Sequence, residues 1–234
     1  MIEIIAECGI NHKGDMFLAK RMIYSAKQNG ANVAKFQIYD VDTLFPDRKI
    51  IAQDRNWYEE VKKTQLTKEQ VFELDNYCKE VQIEFMASAF DLERLGWLEE
   101  VGVKRHKIAY RMNRDKKYLR DVLKTKKTIL MSCDFRTLLP FRRNIRRLYC
   151  VPKYPTEFSK LKLERVNFPL GFKGFSDHTV GIEASMIAMV RGAEIIEKHF
   201  CLERDNSNPD MVCSIEPQEL KQLVEFARKV EEVL

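Results

Sequence analysis

The stretch KGFSDHTVGIEASMIAMVRGAEIIEKHF, residues 173–200, decides how the rest of the chain is read. Gly174 to Asp177 is short and apolar enough for a buried strand. Gly181 to Arg191 has helical periodicity stopped by Gly192, and Glu194 to Phe200 is strand-like again. If the two strands are parallel neighbours joined by a right-handed crossover, His178 and His199 emerge at the same sheet edge, where βα folds build their sites. Side chains repeat every two residues along a strand, so Ser176 shares a face with His178 and Glu197 with His199. On spacing alone the two imidazoles fit either a hydrogen-bonded structural pair or a metal or catalytic pair.

Outward from this unit the same alternation of strand and helix continues. Ile2 to Cys8 is an apolar run holding Glu7, followed by a loop and a helix that Asp15 caps and Gly30 ends. Asn32 to Tyr39 is a strand with Lys35 and Gln37 on one face. A lysine inside an apolar strand needs a polar pocket or an acid partner, and Gln37 pointing the same way favours the pocket. Asp40 to Leu66, carrying Phe45, Trp57 and Tyr58, has the length of a lid or binding loop. Thr67 and Gln70 form a capping box for a helix reaching Lys79. Further strands are expected at Glu84 to Phe90 with Ser88, Arg105 to Tyr110 with Lys107, Thr128 to Cys133 with Ser132, and Arg147 to Val151 before Tyr154. A closing helix near Pro217 places Leu220, Leu223, Val224, Ala227 and Val230 at helical spacing. Eight alternating units predict an α/β fold, a (β/α)8 TIM barrel, as a single domain over residues 1–234. The active site is then expected where the strands end, and nearly every strand delivers a polar group late: Glu7, Lys35, Gln37, Ser88, Lys107, Ser132, Tyr154, Ser176, His178, Glu197 and His199. Two lysines, several hydroxyls and a metal-capable histidine pair suit an anionic, oxygen-rich substrate such as a phosphorylated carboxylate.

Composition narrows the classes. The net charge of +5 arises from 40 Lys and Arg against 35 Asp and Glu, interspersed along the chain, and makes no case for nucleic acid. The cluster Arg142, Arg143, Arg146 and Arg147 has the spacing of a solvated helix face. Six cysteines without C-x-x-C pairing suit reduced, buried thiols. Strand-like sequence from Ile2 leaves no room for a signal peptide, and no apolar run is long enough to span a membrane, so a cytoplasmic protein is expected. Neither common nucleotide-loop signature is present.

The motifs AECGINHKGD (6–15), AKFQIY (34–39), HKIA (106–109), GFSDHTVGIEAS (174–185), EKHF (197–200) and NPDMVCSIEP (208–217) resemble, in the right order along the chain, those of the N-acetylneuraminate synthase family, which includes sialic, legionaminic and pseudaminic acid synthases. The resemblance implies condensation of phosphoenolpyruvate with an N-acetylated aldose such as N-acetylmannosamine, release of phosphate, and a divalent metal, typically Mn²⁺. It implies His178 and His199 as metal ligands, Glu7 as a catalytic acid–base group, Lys35, Gln37, Ser88, Lys107 and Ser176 as phosphoenolpyruvate contacts, Tyr154 and Asp210 as sugar contacts, and Ser132 as a further substrate-binding residue. It also suggests a homodimer. The family's C-terminal antifreeze-like domain, which reaches the partner's site with an arginine, is expected to be absent from this protein. After Lys107 the family's I-G-S-G-E is replaced by Ile108, Ala109, Tyr110, Arg111 and Met112, which removes a phosphate-binding serine and a sugar-binding glutamate. Arg111 or Lys153 is the expected replacement. These departures leave two alternatives open: a non-catalytic homologue that binds a sugar or partner enzyme, and a metal-dependent aldolase with an altered substrate.

Overall fold

The computed structural model describes residues 1–137 and 142–233. Eight parallel strands close into a barrel in chain order: β1 (Glu3–Gly9), β2 (Val33–Ile38), β3 (Glu84–Ala89), β4 (Arg105–Ile108), β5 (Thr128–Cys133), β6 (Ile145–Tyr149), β7 (Gly174–Asp177) and β8 (Ile195–His199). β1 pairs with both β2 and β8, so no edge is left. The barrel is thus the fold that the alternation predicts.

The outer helices are α1 (Met16–Gln28), α2 (Lys68–Glu80), α3 (Leu92–Val101), α4 (Lys116–Lys124), α5 (Glu183–Val190) and α6 (Pro217–Val233). Their starts follow from side chains that satisfy the free N–H groups of the first turn. Asp15 accepts from the Phe17 and Leu18 amides, Asp91 from Arg94, and Thr67 with Gln70 closes the expected capping box.

Two connections depart from the eightfold pattern. Between β5 and β6 the expected helix falls partly on residues 138–141, outside the described residues; turns lie on either side of these four, at 135–136 and 143–144. Arg146 and Arg147 lie in β6 itself, two residues earlier than the expected strand, and so belong to no helix face. Between β6 and β7 only the short 3₁₀ turns Phe158–Lys160 and Leu163–Arg165 form. Pro152, Pro155 and Pro169 interrupt any helical run there. Leu161, Leu163, Val166, Phe168 and Phe172 cover the flank instead, packed with Tyr149 and Phe175.

The barrel interior is layered by the two-residue period of the strands. At its base Arg105 ion-pairs with Glu3 and Glu84. Above lies an apolar plug of Ile5, Val33, Met86, Leu130, Leu148 and Ile195, each buried side chain contributing about 1.5–3 kcal/mol. Gly174 completes this layer because nothing larger fits: a Cβ there would stand 2.2 Å from the Ile195 carbonyl oxygen and 2.8 Å from Leu148 Cδ2. Two residues beyond this layer come Glu7, Lys35, Ser88, Ser132, Ser176 and Glu197, joined by Lys107, two beyond Arg105 on β4, all buried. All six cysteines are free and buried, and among the described residues no helix is long and apolar enough to cross a membrane.

Candidate active site

The polar layer forms the floor of a cavity of about 710 Å³ at the C-terminal end of the barrel. Of the residues singled out in the sequence, Glu7, Lys35, Gln37, Ser88, Lys107, Ser132, Tyr154, Ser176, His178, His199 and Asp210 all line it. Asp210 comes from the loop after β8; every other member follows from strand alternation or from the turn just beyond a strand.

Lys35 meets both conditions considered for it, a pocket and an acid. Its Nζ donates to Glu7 Oε2 at 2.5 Å and stands 3.8 Å from Glu197 Oε2. Lys107 Nζ donates to Ser132 Oγ at 2.8 Å and lies 3.3 Å from Glu197 Oε1, which also accepts from Ser176 Oγ at 2.8 Å. Glu197, named in the sequence only as one polar group of the rim, is therefore the hub of the floor. Burial alone would raise its carboxyl, but Lys107 and Lys35 outweigh that and hold it at about 2. Burial likewise opposes the charge on Lys35, yet Glu197 and Glu7 keep the ammonium raised. Lys107 is lowered by burial, with Glu197 only partly offsetting it. Glu7 is raised by burial against the pull of Lys35, and Gln37 Nε2 donates to its Oε1 at 3.0 Å.

One step above the floor, the two imidazole rings face each other with centroids 5.6 Å apart, and Tyr154 stacks on His178 at 4.1 Å. The register explains this meeting. Ser176 lies opposite Glu197 in the parallel pair of β7 and β8, so the residues two further on arrive together. His178 Nδ1 is fixed on the Val151 carbonyl at 2.9 Å. His199 Nδ1 is buried without a hydrogen bond, 3.6 Å from Asp210 Oδ2. Burial lowers His178 to about 4; burial and then the neighbouring His178 lower His199 well below its ordinary value, so both rings are neutral near pH 7. Asp210 is pushed up to about 7, by burial first and the Glu7 charge second. Among the described residues no three His, Cys, Asp or Glu side chains converge as a complete metal cage.

Opposite faces of the same strands carry a second polar pair that alternation also makes readable. Lys198 and Asp177 point outward, fully buried, with Nζ 3.3 Å from Oδ2. Lys198 Nζ donates to the Thr179 carbonyl at 2.6 Å, and Ser185 Oγ donates to Asp177 Oδ2 at 2.6 Å. All its partners are internal, so this pair is structural.

The segment after β2 walls one side of the cavity with Leu44, Phe45, Ile50, Ile51 and Ala52, as its length suggested. Trp57 and Tyr58 pack behind it with Tyr39 and Val61 instead of facing the cavity. Gln53 Nε2 donates to the Pro209 carbonyl at 3.2 Å, joining this wall to the loop that carries Asp210. The residues that replace the family's serine and glutamate also separate. Tyr110 lines the cavity and donates from its hydroxyl to Asp134 Oδ2 at 3.0 Å, Arg111 lines the cavity, and Met112 is buried in the core.

The closed parallel barrel has counterparts among solved structures. The N-acetylneuraminic acid (sialic acid) synthetase from Leptospira borgpetersenii superposes with a TM-score of 0.86 at 29% identity, over 99% of this chain and 84% of that one. A truncated 3-deoxy-D-arabino-heptulosonate 7-phosphate synthase from Thermotoga maritima shares the fold, with a TM-score of 0.72 at 15% identity, over 99% of this chain and 87% of that one. The chain belongs to the NeuB family, whose model matches residues 22–234. It is 34% identical to N,N'-diacetyllegionaminic acid synthase of Campylobacter jejuni over 99% of this chain and 77% of that protein. It is 31% identical to human N-acetylneuraminate-9-phosphate synthase over 99% of this chain and 70% of that protein.

Proposed function

We propose that this chain is a nonulosonic acid synthase that condenses phosphoenolpyruvate with an N-acetylated aldose, N-acetylmannosamine or a related sugar, and releases phosphate. The observation that carries this is the buried layer of Lys35, Lys107, Glu7 and Glu197 directly below two neutral imidazoles, in one cavity. Family membership and the names of the relatives support the same reaction class.

Lys35 and Lys107 supply positive charge for the carboxylate and phosphate of phosphoenolpyruvate. Both already face acids, so an incoming anion must displace negative charge. Glu7, with its carboxyl raised by burial, takes up a proton and releases Lys35 to the substrate. Ser88 Oγ, buried with no partner, offers a hydrogen bond to a substrate oxygen, with Ser132 and Ser176 beside the lysine and glutamate of the floor. Carbon 3 of phosphoenolpyruvate then attacks the sugar aldehyde, water adds at the oxocarbenium carbon, and phosphate leaves. As the aldehyde oxygen becomes a hydroxyl it takes the proton held by Glu7, and the carboxylate so formed, oriented by Gln37, is placed to accept the proton of that water. Tyr154 and Asp210 face the sugar.

The donor set fits a divalent ion, Mn²⁺ by resemblance. His178, with its Nδ1 committed to a carbonyl, would hold the ion through Nε2, and the neutral His199 would supply the second imidazole. Such an ion, when bound, polarises the aldehyde as a Lewis acid. The test is phosphate release from phosphoenolpyruvate with Mn²⁺ and then chelator, across N-acetylated and plain aldoses. Release that needs both the ion and one sugar is expected; no release with any sugar refutes the proposal.

A further inference from the structure

Among the described residues four lysines and arginines line the cavity, and three of them are matched with acids: Lys35 with Glu7, Lys107 with Glu197, and Lys153 with Glu157 at 2.5 Å. Arg111 is the exception. Among the described residues it makes no ion pair, and its guanidinium carbon lies over the Phe45 ring, 4.2 Å from the centroid. Arg111 is held in the 3₁₀ turn Tyr110–Met112 just past β4, four residues beyond Lys107, and so sits at the rim of the cavity, above the floor lysines. Contact with Phe45 restrains the guanidinium at the rim, where its N–H groups, without an acid partner among the described residues, can meet a phosphate or carboxylate, which arginine grips in two parallel hydrogen bonds.

We infer that Arg111 is a specificity-determining residue that selects an aldose bearing an anionic group, phosphate or carboxylate, at the end remote from its aldehyde. The inference rests on the proposed reaction for the sugar's orientation, with the aldehyde inward toward His178 and His199 and the far end of the sugar at the rim. The floor cations are engaged two layers below, so Arg111 is the cation left for a charge carried there. A neutral aldose would leave the guanidinium unmatched.

The test is calorimetric titration of three probes, N-acetylmannosamine, its 6-phosphate and the corresponding 6-carboxylate, into wild type, R111Q and R111K, beside the phosphate-release assay. One of the charged sugars should bind about tenfold or more tighter than the neutral one. R111Q should erase that preference and R111K should keep part of it; which charged sugar wins separates phosphate from carboxylate. Equal binding of all three sugars to wild type overturns the inference. So does a loss in R111Q that falls on phosphoenolpyruvate affinity instead, which would make Arg111 a substitute for the missing phosphate contact. If no sugar gives phosphate release while Arg111-dependent binding of a charged sugar persists, the inference stands and the synthase proposal alone falls.

Discussion

His178 and His199 differ in what fixes them: the first is tied to a backbone carbonyl, while the second has only the Asp210 carboxyl near its Nδ1. If both hold the divalent ion, replacing His178 by Ala should abolish Mn²⁺-dependent phosphate release, and retained turnover would remove it from the ligand set. A third imidazole reports on stability alone. His12 is buried against Phe36, takes the Gly14 amide on Nδ1 and leaves Nε2 without a partner. Burial lowers it from 6.5 to about 4, so as pH falls through that window the unfolded chain binds a proton that the fold refuses. Stability is therefore full above the unfolded value and declines toward the folded one, by about 3 kcal/mol for this group. His12→Gln should flatten the pH dependence of the urea midpoint between pH 6.5 and 4 by one proton's share. At this scale the sequence showed which strand residues line the cavity, because alternation determines the face of each, while Tyr154 and Asp210 lie outside the strands, and Asp210 was reached only through the family motifs. The charge hub at Glu197 was not legible, since it depends on distances between side chains of different strands. Nor was the unmatched state of Arg111, which depends on where Glu157 and Phe45 come to rest.

Among the elements, β7 and β8 show most directly how sequence period becomes packing. Inward they deliver Ser176, Glu197 and the two imidazoles, and outward the Asp177–Lys198 pair. Lys198→Ala would strand a buried carboxylate and should cost about 3–5 kcal/mol, read as a drop in the urea midpoint. Gly174→Ala should be worse for folding than its size suggests, because its Cβ would meet the Ile195 carbonyl oxygen at 2.2 Å and force the two strands apart; loss of soluble, cooperatively unfolding protein is the expected result. These strands were readable because turn and cap residues bracket them. β6 was read two residues late because charged Arg146 and Arg147 hide a strand whose exposed side tolerates them. The missing helix before β7 has a similar cause: buried residues at irregular spacing between prolines cover a flank as well as a helix does, without leaving a period to detect.

For the molecule as a whole, the folded barrel brings β7 and β8 together and the unfolded chain does not, so an ion bound between them stabilises the fold by mass action. Saturating Mn²⁺ should raise the melting temperature of wild type, reversibly on chelation, and leave H178A unmoved; an equal rise in both would place the ion elsewhere. The apolar plug of Ile5, Val33, Met86, Leu130, Leu148 and Ile195 has a kinetic consequence. It seals the base of the cavity, so whatever rests against Lys35 and Lys107 enters and leaves past the same rim as its co-substrate. On the proposed reaction the small acid goes in first and the sugar follows as its stopper. Steady-state rates should show substrate inhibition: aldose bound first blocks the single route to the floor, so excess aldose slows turnover at low phosphoenolpyruvate and saturating phosphoenolpyruvate relieves it; rates that never fall with excess aldose would argue against a shared rim.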